Sequence, residues 1–287
     1  MTQSVLNIIG EMADNLAPKM RWIGEETWLS KRRAFDISIV SDPHTTLDEA
    51  REAVGDAVMD FNVIPAANRR KKLLIADMDS TIITCECLDE LADMAGLKAK
   101  VSAITERAMR GEIEFAGALR ERVALLKGLP LEALERVWRE RVRLNPGAKE
   151  LVATMKANGA KTLLVSGGFT FFSARVAEAA GFDEHQSNVL IDDGKVLTGE
   201  VRDPILGKEA KLAALERALE QYGLQADDVL AVGDGANDLA MIQRAGLGVA
   251  YHAKPVVAAA AGASINHNDL KALLYLQGYR DDEIARA

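Results

Sequence analysis

The sequence predicts an α/β fold, in which a doubly wound, mostly parallel sheet carries an inserted helical cap and a small N-terminal α/β unit. Three observations lead there. Short apolar runs ending in polar, glycine-containing loops alternate with helical patterns through the second half of the chain. A wholly helical stretch, 86–145, interrupts that alternation after its first apolar run. Ahead of both, residues 1–68 hold a strand-and-helix pattern of their own.

In that first unit Phe35-Asp36-Ile37-Ser38-Ile39-Val40 alternates as a half-buried strand does, and a helix is predicted from about Thr46 to Phe61. Thr46 with Glu49 three positions on suggests a capping box. Pro65 to Lys72 reads as a linker ending in a basic, solubilising collar. The core, 69–287, opens on Leu73-Leu74-Ile75-Ala76, which runs straight into Asp77-Met78-Asp79-Ser80-Thr81. The cap, inserted at about 84–145, shows amphipathic stretches near 88–95, 99–109, 113–126 and 131–142, broken at Gly96, Gly111 and Gly128-Leu129-Pro130.

A second core strand, Lys161–Val165, leads to Ser166-Gly167-Gly168-Phe169 and a helix from about Thr170 to Ala180. Asn188–Ile191 and Lys195–Gly199 flank Asp192-Asp193-Gly194 and read as a hairpin. A helix near 208–221 precedes Val229–Val232, which ends in Gly233-Asp234-Gly235-Ala236-Asn237-Asp238, and Leu247–Ala250 supplies one more strand. In such a sheet the active crevice lies at the carboxyl ends of the strands, where all three polar loops emerge.

Composition narrows the function classes. The 287 residues carry a net charge of -8, and neither the first 70 residues nor the rest has a basic surplus, which argues against nucleic acid. The longest apolar runs, such as Val256–Ala261, are too short to span a bilayer, and no signal-peptide pattern opens the chain, so a cytoplasmic protein is expected. The two cysteines, Cys85 and Cys87, exclude a disulfide framework and are expected to be reduced; the four histidines lack metal-ligand spacing.

Paired acids at the end of an apolar strand are what packing does not ask for, because a buried carboxylate needs a cation or donors. Residues two apart in extended chain share a face, so Asp77 and Asp79 come together and call for a counter-ion. Mg2+ suits them, preferring hard oxygen ligands, one or two carboxylates and substrate phosphate. Phosphoryl transfer needs an in-line nucleophile, charge neutralisation and a proton donor. Asp77 can attack phosphorus, Asp79 can protonate the leaving oxygen and later activate water, and Asp234 completes the metal site. Ser166, the Gly167 N–H and Lys211 can hold the phosphoryl oxygens.

These elements, Asp77–Thr81, Ser166–Phe169, Lys211 and Val232–Asp238, resemble in order the haloacid-dehalogenase superfamily of phosphatases, and over 73–270 the phosphoserine phosphatases within it. The resemblance implies Mg2+-dependent hydrolysis of O-phospho-L-serine through an aspartyl phosphate, the last step of serine biosynthesis. It makes Asp77 nucleophile and metal ligand. Asp79 becomes the acid/base, its main-chain carbonyl facing the metal, and Asp234 the third ligand. Asn237 borders the phosphate, with Asp238 behind the ligands. It assigns the substrate's ammonium to Glu86 and its carboxylate to Arg122, and has Met109 and Phe115 close over the substrate. Two departures stand out: Met78 replaces the phenylalanine common between the acids, and residues 1–68 suggest only half of an ACT-like unit. The expected partner is the small-molecule substrate, with a homodimer as the candidate assembly. Transfer to another alcohol such as homoserine, and a phospho-aspartate switch, are the alternatives. Asp79 argues against the switch, since an acid/base beside the nucleophile hydrolyses the intermediate.

Overall fold

The computed structural model of the chain describes residues 3–11, 13–39, 42–55, 57–110 and 112–286, and among these the side chains of Pro43, His44 and Met109 fall outside the description. The place expected for Met109 over the substrate therefore lies outside it, as does Val40 at the end of the first predicted strand.

The chain opens with four antiparallel strands, β1 (Ser4–Ile9), β2 (Glu26–Ser30), β3 (Ala34–Ile39) and β4 (Asp60–Pro65), in spatial order β2-β3-β1-β4, with α1 (Pro43–Val54) between β3 and β4. Two expectations are corrected here, the bounds of the helix and the capping box at Thr46 and Glu49. The helix does not run from Thr46 to Phe61: Asp42 caps it by accepting from Thr45 N–H at 2.8 Å, Pro43 starts it, and Gly55 at φ 62° stops it. Phe61 belongs to β4, where it pairs with Ile8 of β1.

The remaining elements are β5 (Leu73–Ala76), α2 (Cys87–Met94), α3 (Lys98–Met109), α4 (Phe115–Ala124), α5 (Leu131–Glu140), α6 (Ala148–Ala157), β6 (Lys161–Phe169), α7 (Thr170–Ala180), β7 (Glu184–Asn188), β8 (Leu190–Asp192), β9 (Leu197–Val201), α8 (Lys208–Tyr222), β10 (Val229–Gly233), α9 (Leu239–Arg244), β11 (Leu247–Tyr251), α10 (Pro255–Ala260), β12 (Ala263–Ile265) and α11 (Ala272–Leu276). Six of these strands form one parallel sheet, β12-β11-β10-β5-β6-β7, while β8 and β9 form a separate antiparallel hairpin.

β5 shows why this sheet is covered on both sides. Leu73 and Ile75 pack among Ala214, Leu215 and Leu219 of α8, whereas Leu74 and Ala76 join the larger core containing Leu151 and Met155 of α6 and Phe172 of α7. Period-2 alternation thus sends each half of the apolar run to a different helical layer. Burying each such leucine or isoleucine contributes roughly 1.5–3 kcal/mol.

The cap joins the core through two strands of chain lying side by side. Ile83 bridges Leu144, Thr84 N–H donates to Arg143 O at 3.0 Å, and Asn145 Nδ2 donates to Thr81 O at 2.7 Å. The basic collar is corrected at two of its residues, Arg69 and Lys71, which are structural, while the side chains of Arg70 and Lys72 stay exposed. Lys71 is buried with Nζ donating to the carbonyls of Asn68 and Asp227, and Arg69 Nη1 lies 2.6 Å from Asp36 Oδ2 of β3. β4 meets the core in the same region. Asn62 exchanges two hydrogen bonds with the Ser264 backbone of β12, and Asp60 accepts from the N–H groups of Asn266, His267 and Asn268. Among the described residues no helix is long and apolar enough to cross a membrane.

Candidate active site

The carboxyl ends of β10 and β5, and the stretch of the neighbouring β6 where its pairing with β7 breaks after Val165, carry Asp234, Asp77 and Ser166 into one crevice. Asp77 extends the alternation of Leu73 and Ile75, so its side chain emerges on the α8 side, and its own N–H still bonds Val232 O of β10 at 3.0 Å. From α8, Lys211 reaches it. The Lys211 ammonium is 2.7 Å from Asp77 Oδ1 and 2.5 Å from Asp238 Oδ1, and the side chain is 2% exposed. Burial alone would depress this ammonium, but Asp77 and Asp238 outweigh it and hold Lys211 above its usual value.

Beyond Asp77 the chain makes one wide turn, closed by Ile83 N–H donating to Met78 O at 3.0 Å, with Ser80 at φ 55°. That turn parts the two acids. Asp79 has partners of its own: Oδ1 accepts from Cys87 N–H at 2.9 Å, at the start of α2, and Oδ2 from Ser166 Oγ at 3.1 Å. Burial raises its carboxyl, against the donors that pull it down. Asp77 is pushed well above the ordinary carboxylate range, by burial first and the neighbouring Asp238 next, with Lys211 opposing. Burial and Asp238 likewise raise Asp234, whose Oδ1 accepts from Thr81 Oγ1 at 3.3 Å.

One oxygen from each of Asp77, Asp234 and Asp238 lies within 4.8 Å of the others, a hard-oxygen set that fits a divalent cation such as Mg2+. Asp238 is nevertheless committed, by Oδ1 to Lys211 and by Oδ2 to the Gly235 N–H at 3.0 Å. The Asp79 carboxylate stands outside this trio.

Above the crevice, Ser80 Oγ donates to Glu86 Oε1 at 2.6 Å. Glu86 stands at the open mouth, yet the protein packed around it and the charge of Asp79 bring its carboxyl up to about 7. Arg122, half-buried on α4, donates through Nε to Ala118 O at 3.2 Å; burial lowers its guanidinium, opposed by Asp89 and Glu86. Among the described residues no ion pair or hydrogen bond joins Arg122 or Asn237 to the acids, and Asn237 lies in the turn after β10, folded over Gly235. Phe115, at the start of α4, covers Gly167 so closely that a Cβ there would meet its ring at 3.3 Å.

Residues 74–243 match the family described as haloacid dehalogenase-like hydrolase, which is more than half of the chain. This chain belongs to that family. The hydrolase is 50% identical over 210 residues to a protein of Polaromonas sp. named phosphoserine phosphatase, an overlap of 71% of this chain and 89% of the relative. Its fold matches the crystal structure of a HAD family hydrolase from Salmonella enterica serovar Typhi with a TM-score of 0.86 and 29% identity, over 96% of this chain and 98% of that one. A structure described as the phospho-aspartyl intermediate analogue of phosphoserine phosphatase matches 72% of the hydrolase and 98% of itself, with a TM-score of 0.66 and 40% identity.

Sequence reasoning missed two features of this site. Asp238 touches Lys211 across 27 positions of chain, which no local pattern reveals. Asn188 hydrogen-bonds the Gly167 carbonyl at 2.8 Å. Its signal was a buried Asn within a strand, a residue type that strands disfavour unless its amide is occupied.

Proposed function

We propose that this hydrolase is a Mg2+-dependent phosphatase that releases phosphate from O-phospho-L-serine through an aspartyl phosphate on Asp77. The carrying observation is the division of labour between two acids two residues apart: Asp77 faces a buried lysine, while Asp79 faces a serine hydroxyl and a main-chain N–H. Environments that differ this much give two carboxyl groups different tasks.

Asp77, its charge supported by Lys211, attacks phosphorus. Asp79, with its carboxyl raised by burial, gives a proton to the departing serine oxygen and then takes one from the water that opens the acyl phosphate. Ser166, the Gly167 N–H and Lys211 receive the phosphoryl oxygens, with Asn237 at their border. Asp77, Asp234 and the main-chain carbonyl of Asp79 would hold Mg2+. The bound cation would neutralise phosphoryl charge and offset the clustered carboxylates.

Glu86 reads the substrate ammonium and Arg122 its carboxylate, so the pair selects an amino-acid phosphate. The 50%-identical relative named phosphoserine phosphatase supports this substrate. The enzyme then serves the last step of serine biosynthesis in the cytoplasm. Residues 1–68 form the small unit, ACT-like in its strand and helix, beside a core of 69–287 with its cap at about 84–145, and a homodimer is its assembly.

Phosphate release from a panel tests the reading. Phosphoserine should be preferred over phosphoethanolamine, which lacks the carboxylate, and over 3-phosphoglycerate, which lacks the ammonium. Asp77→Asn should abolish turnover. Equal rates across the panel, or an active Asp77→Asn variant, overturn the proposal.

A further inference from the structure

Ser166, Gly167 and Gly168 are the part of β6 that leaves its neighbour. β6 pairs with β7 up to Val165↔Gln186 and again at Phe169↔Asn188, with the register shifted between the two. Backbone groups displaced from a ladder and partly buried need other partners. Asn188, 2% exposed, supplies one. Its Oδ1 accepts from the Leu206 N–H at 2.7 Å, which fixes the oxygen end of the amide. Nδ2 then donates to Gly167 O at 2.8 Å and to Leu206 O at 3.2 Å.

The other end of the same Gly167–Gly168 peptide is also held. Gly168 N–H donates to Ser166 Oγ at 2.8 Å, and that hydroxyl donates in turn to Asp79. Leu206 precedes α8, the helix that carries Lys211. The hairpin following Asn188 is bonded to the cap through Gly128 N–H to Leu197 O, Leu131 N–H to Lys195 O and Leu197 N–H to Leu129 O. One amide therefore stands where the glycine loop, the approach to α8 and the root of the cap-bound hairpin meet.

We propose that Asn188 is a positioning residue for phosphate binding, fixing the Gly167–Gly168 peptide and the Leu206 loop so that Ser166, the Gly167 N–H and Lys211 address one phosphoryl group. Alanine would leave the Gly167 carbonyl and both Leu206 backbone groups without this partner. Serine is long enough for one of the bonds and not for all three. The inference rests on the phosphatase reading above, which assigns the phosphoryl group to this loop.

Calorimetric titration of inorganic phosphate into the Mg2+-loaded protein tests it without turnover. Asn188→Ala should weaken phosphate binding about tenfold, equivalent to about 1.4 kcal/mol, and leave Mg2+ affinity within about twofold, while KM for phosphoserine rises. A role confined to folding would instead lower the thermal midpoint and the binding-competent fraction, with the phosphate dissociation constant unchanged; that result overturns the proposal. Should Asn188→Ala fail to fold, Asn188→Ser is read by the same criteria. Wild-type protein that binds no phosphate sinks the functional reading, whereas binding unchanged by the substitution sinks only the role of Asn188.

Discussion

Lys211 Nζ lies 2.7 Å from Asp77 Oδ1, and neither side chain is more than 8% exposed. The contact follows from β5 alternation meeting the inner face of α8, where Lys211 occupies a buried position among apolar neighbours. Removing one partner of a buried pair strands the other's charge. Lys211→Met should therefore destabilise the metal-free protein by about 3 kcal/mol and lower turnover about a hundredfold or more. Urea midpoints and single-turnover rates check both; an active, equally stable variant contradicts the role given to the lysine.

Mg2+ should stabilise the protein more at pH 8 than at pH 5. Burial raises Asp77, Asp79 and Asp234 above their unfolded values, so the folded, metal-free chain holds more protons than the unfolded one, and its stability falls as pH rises through the folded values. A divalent cation competes with those protons, and its contribution grows over the same window. Thermal midpoints with Mg2+ or with a chelator, taken at both pH values, measure this; equal gains would refute the coupling.

The strands that frame the site were legible because each is an apolar run with a polar exit: Leu73–Ala76 before Asp77, Thr162–Val165 before Ser166, Val229–Val232 before Gly233-Asp234. β7, Glu184–Asn188, carries no such run, since its pairing with β6 and the use of Asn188 override its composition. Ala263–Ile265 is three residues long and gains strand form from β11 on one side and the Asn62 amide beyond it. In the first unit the predicted helix ran on through Asp60 and Phe61, whose strand geometry depends on β1 and on the Asn266–Asn268 backbone, partners more than 50 positions away. At the site the residue types could be read, but their pairing could not. The turn that begins at Met78, between the two acids, gives Asp77 and Asp79 different partners, although simple alternation would have kept them together.

Gly168→Ala should cut turnover about tenfold or more while changing stability little. A Cβ at this position would lie 2.8 Å from Asp79 Oδ2, closer than such atoms approach, and a tight 3.0 Å from Ser166 Oγ. The end of the Asp79 side chain gives way more readily than backbone does, so the strain falls on the side chain proposed as acid/base and not on the fold. Displacements of this size at a proton donor cost rate out of proportion to their energy. Steady-state rates beside thermal midpoints separate the two effects, and a fully active variant would mean that Asp79 does not need this geometry.

Glu86 makes the sharpest pH prediction, because its carboxyl is brought up to about 7 by the surrounding protein and by Asp79. An ammonium-bearing substrate binds the ionised form, so kcat/KM for phosphoserine should rise with pH through about 7, and Glu86→Gln should lose that limb while retaining some turnover. A phosphate monoester lacking an ammonium should show no such limb with either protein. Stability has the opposite sign. A carboxyl raised from 4.5 favours the folded state only while it is protonated, and that advantage is lost as pH climbs through about 7. Glu86→Gln should therefore be no more stable than wild type near pH 4 and more stable at pH 8. Rate profiles and thermal midpoints over pH 4–9 test both halves, and a limb near 7 that survives in the glutamine variant would transfer the titration to another group.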